Sequence, residues 1–409
     1  MRRLRQVISS PLRVAMLVLV LHGAWIGAYL AAGHEARDFI KIGVRFLERS
    51  HASKRIRFDP TYRYPANHAG PQGTGYDGQF AYYMALDLPK ARYYMDVPAY
   101  RYTRLLYPLI ATGLALGSAT AIPYALILVN WLAIGGGTLA LAAWLRRRRA
   151  PPAVALLFGL SPGIVIGLQR DLSEPLAYAL VAAAIWTLDF APRRRLVGAS
   201  VLFALAALAR QTTVVFPLVY GIGMLLGANP RSSSTIRANA PRAVGFMACS
   251  IGPIVAYTAA VSAWLGPGAS SNLFEPVPFR GFLGLASATP AQQSPVILLA
   301  TAASFIVLPS LLAAAVAWRA VRAPDAVLPR SLLFLNVALF VVLLNRAVFA
   351  QYTSSSRATV SVMLSAALCM PYLRRPVTQR AMLAMGSAGA LWLVMTPVLF
   401  VYGFSALRV

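Results

Sequence analysis

Acidic residues are scarce in this chain. Of 409 residues only 12 are Asp or Glu against 38 Lys and Arg, a formal net charge of +26. Charged residues of both signs together make up 12%, where a soluble globular domain carries roughly 25%. Lysine is almost missing: Lys41, Lys54 and Lys90 leave every other basic position to arginine. The two cysteines, Cys249 and Cys369, both fall inside apolar runs, which excludes a disulfide framework and a thiolate metal site. The four histidines (His22, His34, His51, His68) have no HExxH spacing, and neither a GxxxxGK[ST] loop nor a GxSxG elbow occurs. Zinc-protease, P-loop and serine-hydrolase chemistry are thereby excluded. No cofactor or metal is expected, although a carboxylate pair could take a divalent ion.

What the chain has instead is apolar length. It is 58% hydrophobic with a mean hydropathy of +0.62, and its apolar runs are separated by short arginine-rich loops. The expectation is an all-α polytopic membrane protein forming one transmembrane domain over 1–409. The excess of arginine fixes orientation in short interhelical loops and does not point to nucleic acid. An arginine-, alanine- and leucine-heavy composition suits a GC-rich bacterial genome, hence a bacterial cytoplasmic (inner) membrane. MRRLRQVISSPLR and the apolar run to Ala32 read as an uncleaved first span with a cytoplasmic N-terminus.

Arginine clusters then give a zigzag of about eleven transmembrane helices. Spans are expected at 12–32, 122–145, 151–168, 175–190, 196–209, 214–228, 243–264, 296–318, 331–349, 357–373 and 381–403. Residues 33–120 form a first external loop and 265–295 a second. The apolar segment 104–120 would invert the arginine pattern as a span, so it is read as re-entrant or interfacial. In Ala36–Ser50 the polar residues Asp38, Lys41, Arg45, Glu48 and Arg49 share one helical face, predicting a helix lying in the membrane interface. Asp77–Leu86 is a second such candidate.

Seven of the 12 acidic residues lie in the first external loop: Glu35, Asp38, Glu48, Asp59, Asp77, Asp87 and Asp96. A surface rich in both signs suits a site that holds an anionic lipid head group and needs a carboxylate base. Asp77, between Gly75 and Gly78 in GYDGQ, is the first candidate base; the bland alternative is a helix cap. Asp38, just after the first span, is the second, with pairing to Lys41 as its alternative. Arg101 and Arg104, before LLYP, offer guanidinium forks for phosphate oxygens. Arg170, Asp171 and Glu174 crowd three charges into the turn QRDLSEP, and Arg210 ends an apolar run in LARQTT, next to Gln211. Arg346 and Arg357 bracket a further outer turn with a weaker signal. Tyr76, Tyr82, Tyr83, Tyr100 and Tyr102, with Gln79 among them, make a dense polar-aromatic set in the same loop.

In this layout the chain resembles the GT-C superfamily of polytopic glycosyltransferases. GYDGQFAYYMAL followed by YRYTRLLYP is similar to the aromatic-Asp-Gly and Pro-Leu-Tyr-Pro pattern of PIG-V-type mannosyltransferases, and DLSEPLA to their later Ser-Glu-aromatic element. It departs from that pattern in carrying RYTRLLYP where an aromatic-rich stretch is usual. The resemblance implies transfer of one sugar from a polyprenyl-phosphate donor to an acceptor hydroxyl of a lipid or cell-envelope glycan, on the extracytoplasmic face. Asp77 or Asp38 would be the base, and Arg101, Arg104, Arg170 or Arg210 would hold the phosphate. Tyr76, Gln79, Tyr83, Tyr102, Asp171, Glu174 and Gln211 would contact substrate, and the tyrosines, with Tyr82 and Tyr100, would stack on sugar rings or mark the interface. The competing class is a transporter or flippase of an anionic lipid or lipid-linked sugar, which calls for broken helices in symmetric halves; no internal repeat is visible.

Overall fold

A computed structural model describes residues 10–43, 75–189, 194–227, 233–267, 274–287, 326–350 and 352–372, together with Ala313 and Val316. Among these residues the chain is helical throughout, and its one β-type pairing is an isolated antiparallel bridge between Phe274 and Leu344. The expected spans at 296–318 and 381–403, and the loop residues 44–74, lie outside the described residues.

Among the described residues three helices are long and apolar enough to cross a membrane: α1 (Pro11–Ala31), a second at Ile122–Arg147 and a third at Ser233–Leu265. Between α1 and the second of these come α2 (Gly78–Leu86), α3 (Pro98–Tyr102) and α4 (Leu106–Leu114), so Ile122–Arg147 is α5. The bent pair α6 (Leu156–Gly159) and α7 (Pro162–Gln169) follows a 3-10 turn at Pro152–Ala155; the whole segment is kinked by 48° and would make a fourth crossing if counted as one span. The apolar helices α8 (Glu174–Leu188), α9 (Arg194–Ala209) and α10 (Val215–Leu226) are shorter than the roughly 20 residues a straight crossing needs. Ser233–Leu265 is α11. The C-terminal part adds α12 (Arg280–Leu283), α13 (Val327–Val337), α14 (Arg346–Phe349), α15 (Tyr352–Ala358) and α16 (Val360–Cys369).

Several expected boundaries are corrected. The basic loop Arg231–Arg242 is partly absorbed into α11, which begins at Ser233 and runs through Pro241 and Pro253. The span at 331–349 is not one helix. It passes from α13 into a π-turn at Ala338–Val342, then restarts at α14, where the Asn345 side chain accepts a hydrogen bond from the Ala347 amide at 2.7 Å. The break exposes the Leu343 and Val342 carbonyls, which accept from the amides of Glu275 and Phe279 in the segment 274–287, both at 2.7 Å. Of the interfacial helix predicted over Ala36–Ser50, the described part, to residue 43, holds only a 3-10 turn at Ala36–Phe39. Lys41 at φ 50 takes the backbone out of helical space immediately after it. Within 104–120, α4 has nine residues, about 14 Å at roughly 1.5 Å per residue, too short to cross.

Helix α5 is the hub. It packs on α1 and α8, and Gly137 permits the contact with α8: a Cβ there would lie 2.8 Å from the Ala179 backbone. Trp131 on α5 donates its indole N–H to the Leu19 carbonyl of α1 at 2.9 Å. Beyond α8, the helices α9, α11 and α10 pack in succession, and α13 closes on α10 and α16. A second apolar cluster ties the segment after α1 to the bundle through Tyr82, Tyr83, Tyr94, Tyr102 and Tyr107. Phe80, Tyr83 and Met84 of α2 are buried against this cluster. In the C-terminal part, α15 lies so close to α7 that a Cβ on Gly163 would stand 2.2 Å from the Ser356 carbonyl oxygen. That contact fixes the position of the next residue, Arg357.

Candidate functional site

The first loop is anchored to the bundle by two glycines. Gly75 adopts φ +63, and a Cβ there would lie 2.4 Å from the Gly43 amide. Tyr76 then donates its amide to the Lys41 carbonyl at 2.9 Å. At Gly78 a Cβ would lie 2.1 Å from the Arg170 carbonyl oxygen, so the start of α2 lies directly on the turn between α7 and α8. Asp77 is held between these two contacts. It occupies the N-cap position of α2 but makes no side-chain cap hydrogen bond.

Its carboxylate meets arginines instead. Arg101 Nη1 donates to Oδ1 at 2.9 Å, Arg357 Nη1 to Oδ2 at 3.1 Å, and Arg104 Nη1 stands 3.5 Å from Oδ2. Arg101 is oriented by a bidentate pair to Asp96 (2.8 and 2.7 Å) and lies over the Phe80 ring at 4.2 Å. Below them Glu174, the first residue of α8, is fully buried. It pairs with Arg210 at 2.7 Å and with the Nε of Arg357. Arg357, 4% exposed, therefore bridges Asp77 to Glu174 and also donates to the Tyr76 hydroxyl at 3.2 Å. Four guanidiniums face three carboxylates, which leaves an excess of positive charge.

Two cavities open on this cluster. The larger, about 140 Å³, is polar at one end, with Asp77, Tyr100, Arg104, Arg210 and Arg357, and apolar at the other, with Phe274, Phe340, Leu344 and Val348. The bridge between Phe274 and Leu344 builds that apolar wall. The smaller, about 20 Å³, is bordered by Asp77, Arg101, Arg104, Tyr107, Asp171 and Ser173.

Electrostatics separate the carboxylates. Burial pushes Asp77 up, but Arg101, Arg357 and Arg104 outweigh it and hold the group well below the usual carboxylate range. Asp96 shifts down in the same way: burial opposes, and the Arg101 hydrogen bond wins. Asp171 goes the other way, since burial raises it and a hydrogen bond from Tyr107 only partly offsets that. Lys41 falls to about 8 through burial and the nearby Arg170.

Not every sequence candidate reaches the cavities. Asp77, Arg101, Arg104, Asp171, Arg210 and Gln211 line one or both, with Tyr76 and Glu174 one contact away through Arg357. Asp38 is elsewhere. It closes a capping box with Glu35, accepting its amide at 2.9 Å, and accepts from the Tyr29 hydroxyl at 3.4 Å. Arg170 is buried, its carbonyl packed over Gly78. Gln79 accepts from the Gly43 amide at 2.9 Å, tying two loop segments together. Tyr83 packs at a tilt against Tyr94, and Tyr102 meets Trp264 edge-on while its hydroxyl donates to the Leu88 carbonyl. These three are framework. Arg357, by contrast, is central, and its sequence signal was only an arginine closing the polar run TSSSR before an apolar helix. Among the described residues no group of three His, Cys, Asp or Glu could hold a metal ion.

No family model, curated protein or solved structure matches this chain. Its function is therefore argued from the site alone.

Proposed function

We propose that the chain is a GT-C-type membrane glycosyltransferase. It would move one sugar from a polyprenyl-phosphate donor to an acceptor hydroxyl on a lipid or envelope glycan, with inversion at the anomeric carbon. The observation that carries the reading is the larger cavity: Arg104, Arg210 and Arg357 at one end, Phe274, Phe340, Leu344 and Val348 at the other. A ligand matching both ends has an anionic head and a hydrocarbon tail. Guanidiniums suit phosphate because they are permanently charged and donate in a fixed fork.

In this reading the arginines bind the donor phosphate and stabilise the charge it gains as it leaves. Asp77 keeps Arg101, Arg104 and Arg357 apart and aimed, since each touches its carboxylate, and Glu174 holds Arg210. A carboxylate at the site receives the proton of the acceptor hydroxyl. The expected setting is a bacterial inner membrane crossed about eleven times, with the first external loop and this site on the extracytoplasmic face.

The test uses wild type and Arg357→Ala in nanodiscs, incubated with a panel of polyprenyl-phosphate sugars and an envelope lipid and glycan extract. Mass spectrometry should find an acceptor heavier by one sugar with wild type. Loss of Arg357 should slow its formation by about 10²- to 10³-fold, the usual cost of one preorganised charge donor. No product from any donor, together with flipping of lipid-linked sugar in proteoliposomes, would replace the transferase by a transporter.

A further inference from the structure

Two carboxylates border the smaller cavity, and they are not equivalent. Both oxygens of Asp77 are engaged by arginines. Asp171 is fully buried. Its Oδ1 has only the Tyr107 hydroxyl at 3.5 Å, a donor shared with the Leu126 carbonyl at 3.0 Å, and its Oδ2 has no hydrogen-bond partner among the described residues. A buried, unsatisfied carboxylate oxygen is costly unless something visits it.

The backbone is built to hold Asp171 there. The residue stands at φ 48, in the left-handed region, between α7 and α8. Asn130 of α5 supports the turn: its amide donates to the Leu172 carbonyl at 3.0 Å, to the Gly167 carbonyl at 3.4 Å and to the Tyr107 hydroxyl at 2.9 Å. Backbone strain fixed in this way is most often met at functional sites. The cavity, at about 20 Å³, has room for about one hydroxyl or water. Asp77 and Arg104 line this cavity and the larger one alike, so an oxygen placed in it adjoins the arginine cluster.

We propose that the small cavity receives the acceptor hydroxyl and that Asp171, not Asp77, takes its proton. The inference rests on the transferase reading and names its base. The acceptor oxygen forms a bond to the anomeric carbon as the bond from that carbon to the phosphate oxygen breaks. The electron pair of that bond leaves on the phosphate, beside Arg104, Arg210 and Arg357, and the hydroxyl proton passes to the Asp171 carboxylate. The electrostatics agree: burial makes Asp171 a stronger base than an ordinary carboxylate, whereas the arginines make Asp77 a weaker one. The charged and titratable groups facing Asp171 are Tyr107 of α4, Asp77, Arg101 and Arg104 across the cavity, and Arg170 and Glu174 along its own turn.

The experiment compares wild type, Asp171→Asn, Asp77→Asn and Tyr107→Phe in nanodiscs, measuring polyprenyl-phosphate binding and sugar transfer separately, each across pH. Asparagine accepts left-handed φ readily and keeps an oxygen for Tyr107, so Asp171→Asn should fold and bind polyprenyl phosphate like wild type. Its transfer rate should fall by about 10²- to 10⁴-fold, as for loss of a general base. Asp77→Asn should instead weaken polyprenyl-phosphate binding. Tyr107→Phe removes the hydrogen bond that lowers the Asp171 pKa, so the limb on which wild-type transfer rises with pH should move to higher pH. That variant decides the matter if Asp171→Asn does not fold. Transfer by Asp171→Asn at the wild-type rate, or an unmoved limb in Tyr107→Phe, would overturn the base and leave the transferase standing. Wild type that binds polyprenyl phosphate but transfers nothing overturns both.

Discussion

Glu174→Gln is the sharpest probe of how the site is held together. Glu174 is fully buried and carries Arg210 at 2.7 Å and the Nε of Arg357. Removing its charge leaves two guanidiniums facing each other. Breaking a buried pair from one side costs about 3–5 kcal/mol. Arg357 still has Asp77 at 3.1 Å, which puts the expected loss near the lower end, about 3 kcal/mol. At roughly 2–4 °C per kcal/mol for domains of 150–250 residues, and less for a longer chain, the melt should fall by about 6 °C. The protein supplies its own reporter. Cys369 on α16 is buried and Cys249 is exposed, so in a Cys249→Ser background a thiol-reactive dye reports unfolding through Cys369. Arg210 has no described carboxylate partner besides Glu174, and adding Arg210→Met should therefore recover stability. The double variant should be less destabilised than the sum of the singles by about 1–3 kcal/mol. Additive losses, or a Glu174→Gln protein that melts with wild type, would mean that the buried pairing drawn here is wrong.

Three further outcomes are expected. Gly78→Ala pushes a Cβ to within 2.1 Å of the Arg170 carbonyl and should cost about 1–3 kcal/mol by overpacking, read with the same thiol reporter; an unchanged melt would place α2 elsewhere. Asp38→Ala loses a capping box and should cost about 0.5–2 kcal/mol while leaving sugar transfer intact; a large loss of transfer in folded protein would restore Asp38 as a candidate base. Stability against pH should show two opposite signs. Asp77 has a lowered folded pKa, so its contribution is present above the unfolded value of about 3.9 and fades only in stronger acid, where Asp77→Asn and wild type should converge. Asp171 has a raised one, so wild type should lose stability as pH rises above about 3.9 and Asp171→Asn should not. Parallel melting curves for wild type and Asp171→Asn across pH would refute that sign.

The helical class was readable because apolar run length is a strong signal, and α1 and α5 fall close to where hydropathy puts them. Charge was a good guide to individual residues as well: Asp77, Arg101, Arg104, Asp171, Glu174 and Arg210 stand out as polar groups in an apolar chain, and all six meet at the site. Charge could not say which partner each one takes. Asp38 carries the same residue type in the same loop, yet three residues of local geometry commit it to a cap. Arg357 reads as a weak outer-turn arginine because the residues that give it meaning, Tyr76, Asp77 and Glu174, are 183 or more positions away. Its placement depends on Gly163 letting α15 approach α7, a contact that no periodicity in either helix announces. The break at 343–345 was hidden for a similar reason. An apolar stretch reads as one span until a second segment, here Glu275 to Phe279, arrives to hydrogen-bond the carbonyls that the break releases. That same pairing lays Phe274 beside Leu344 and makes the apolar wall opposite the arginines. The site's two ends thus come from different physics. Local sequence supplies the charges, and a long-range backbone pairing supplies the greasy wall that turns an ion cluster into a cavity with one charged and one apolar end.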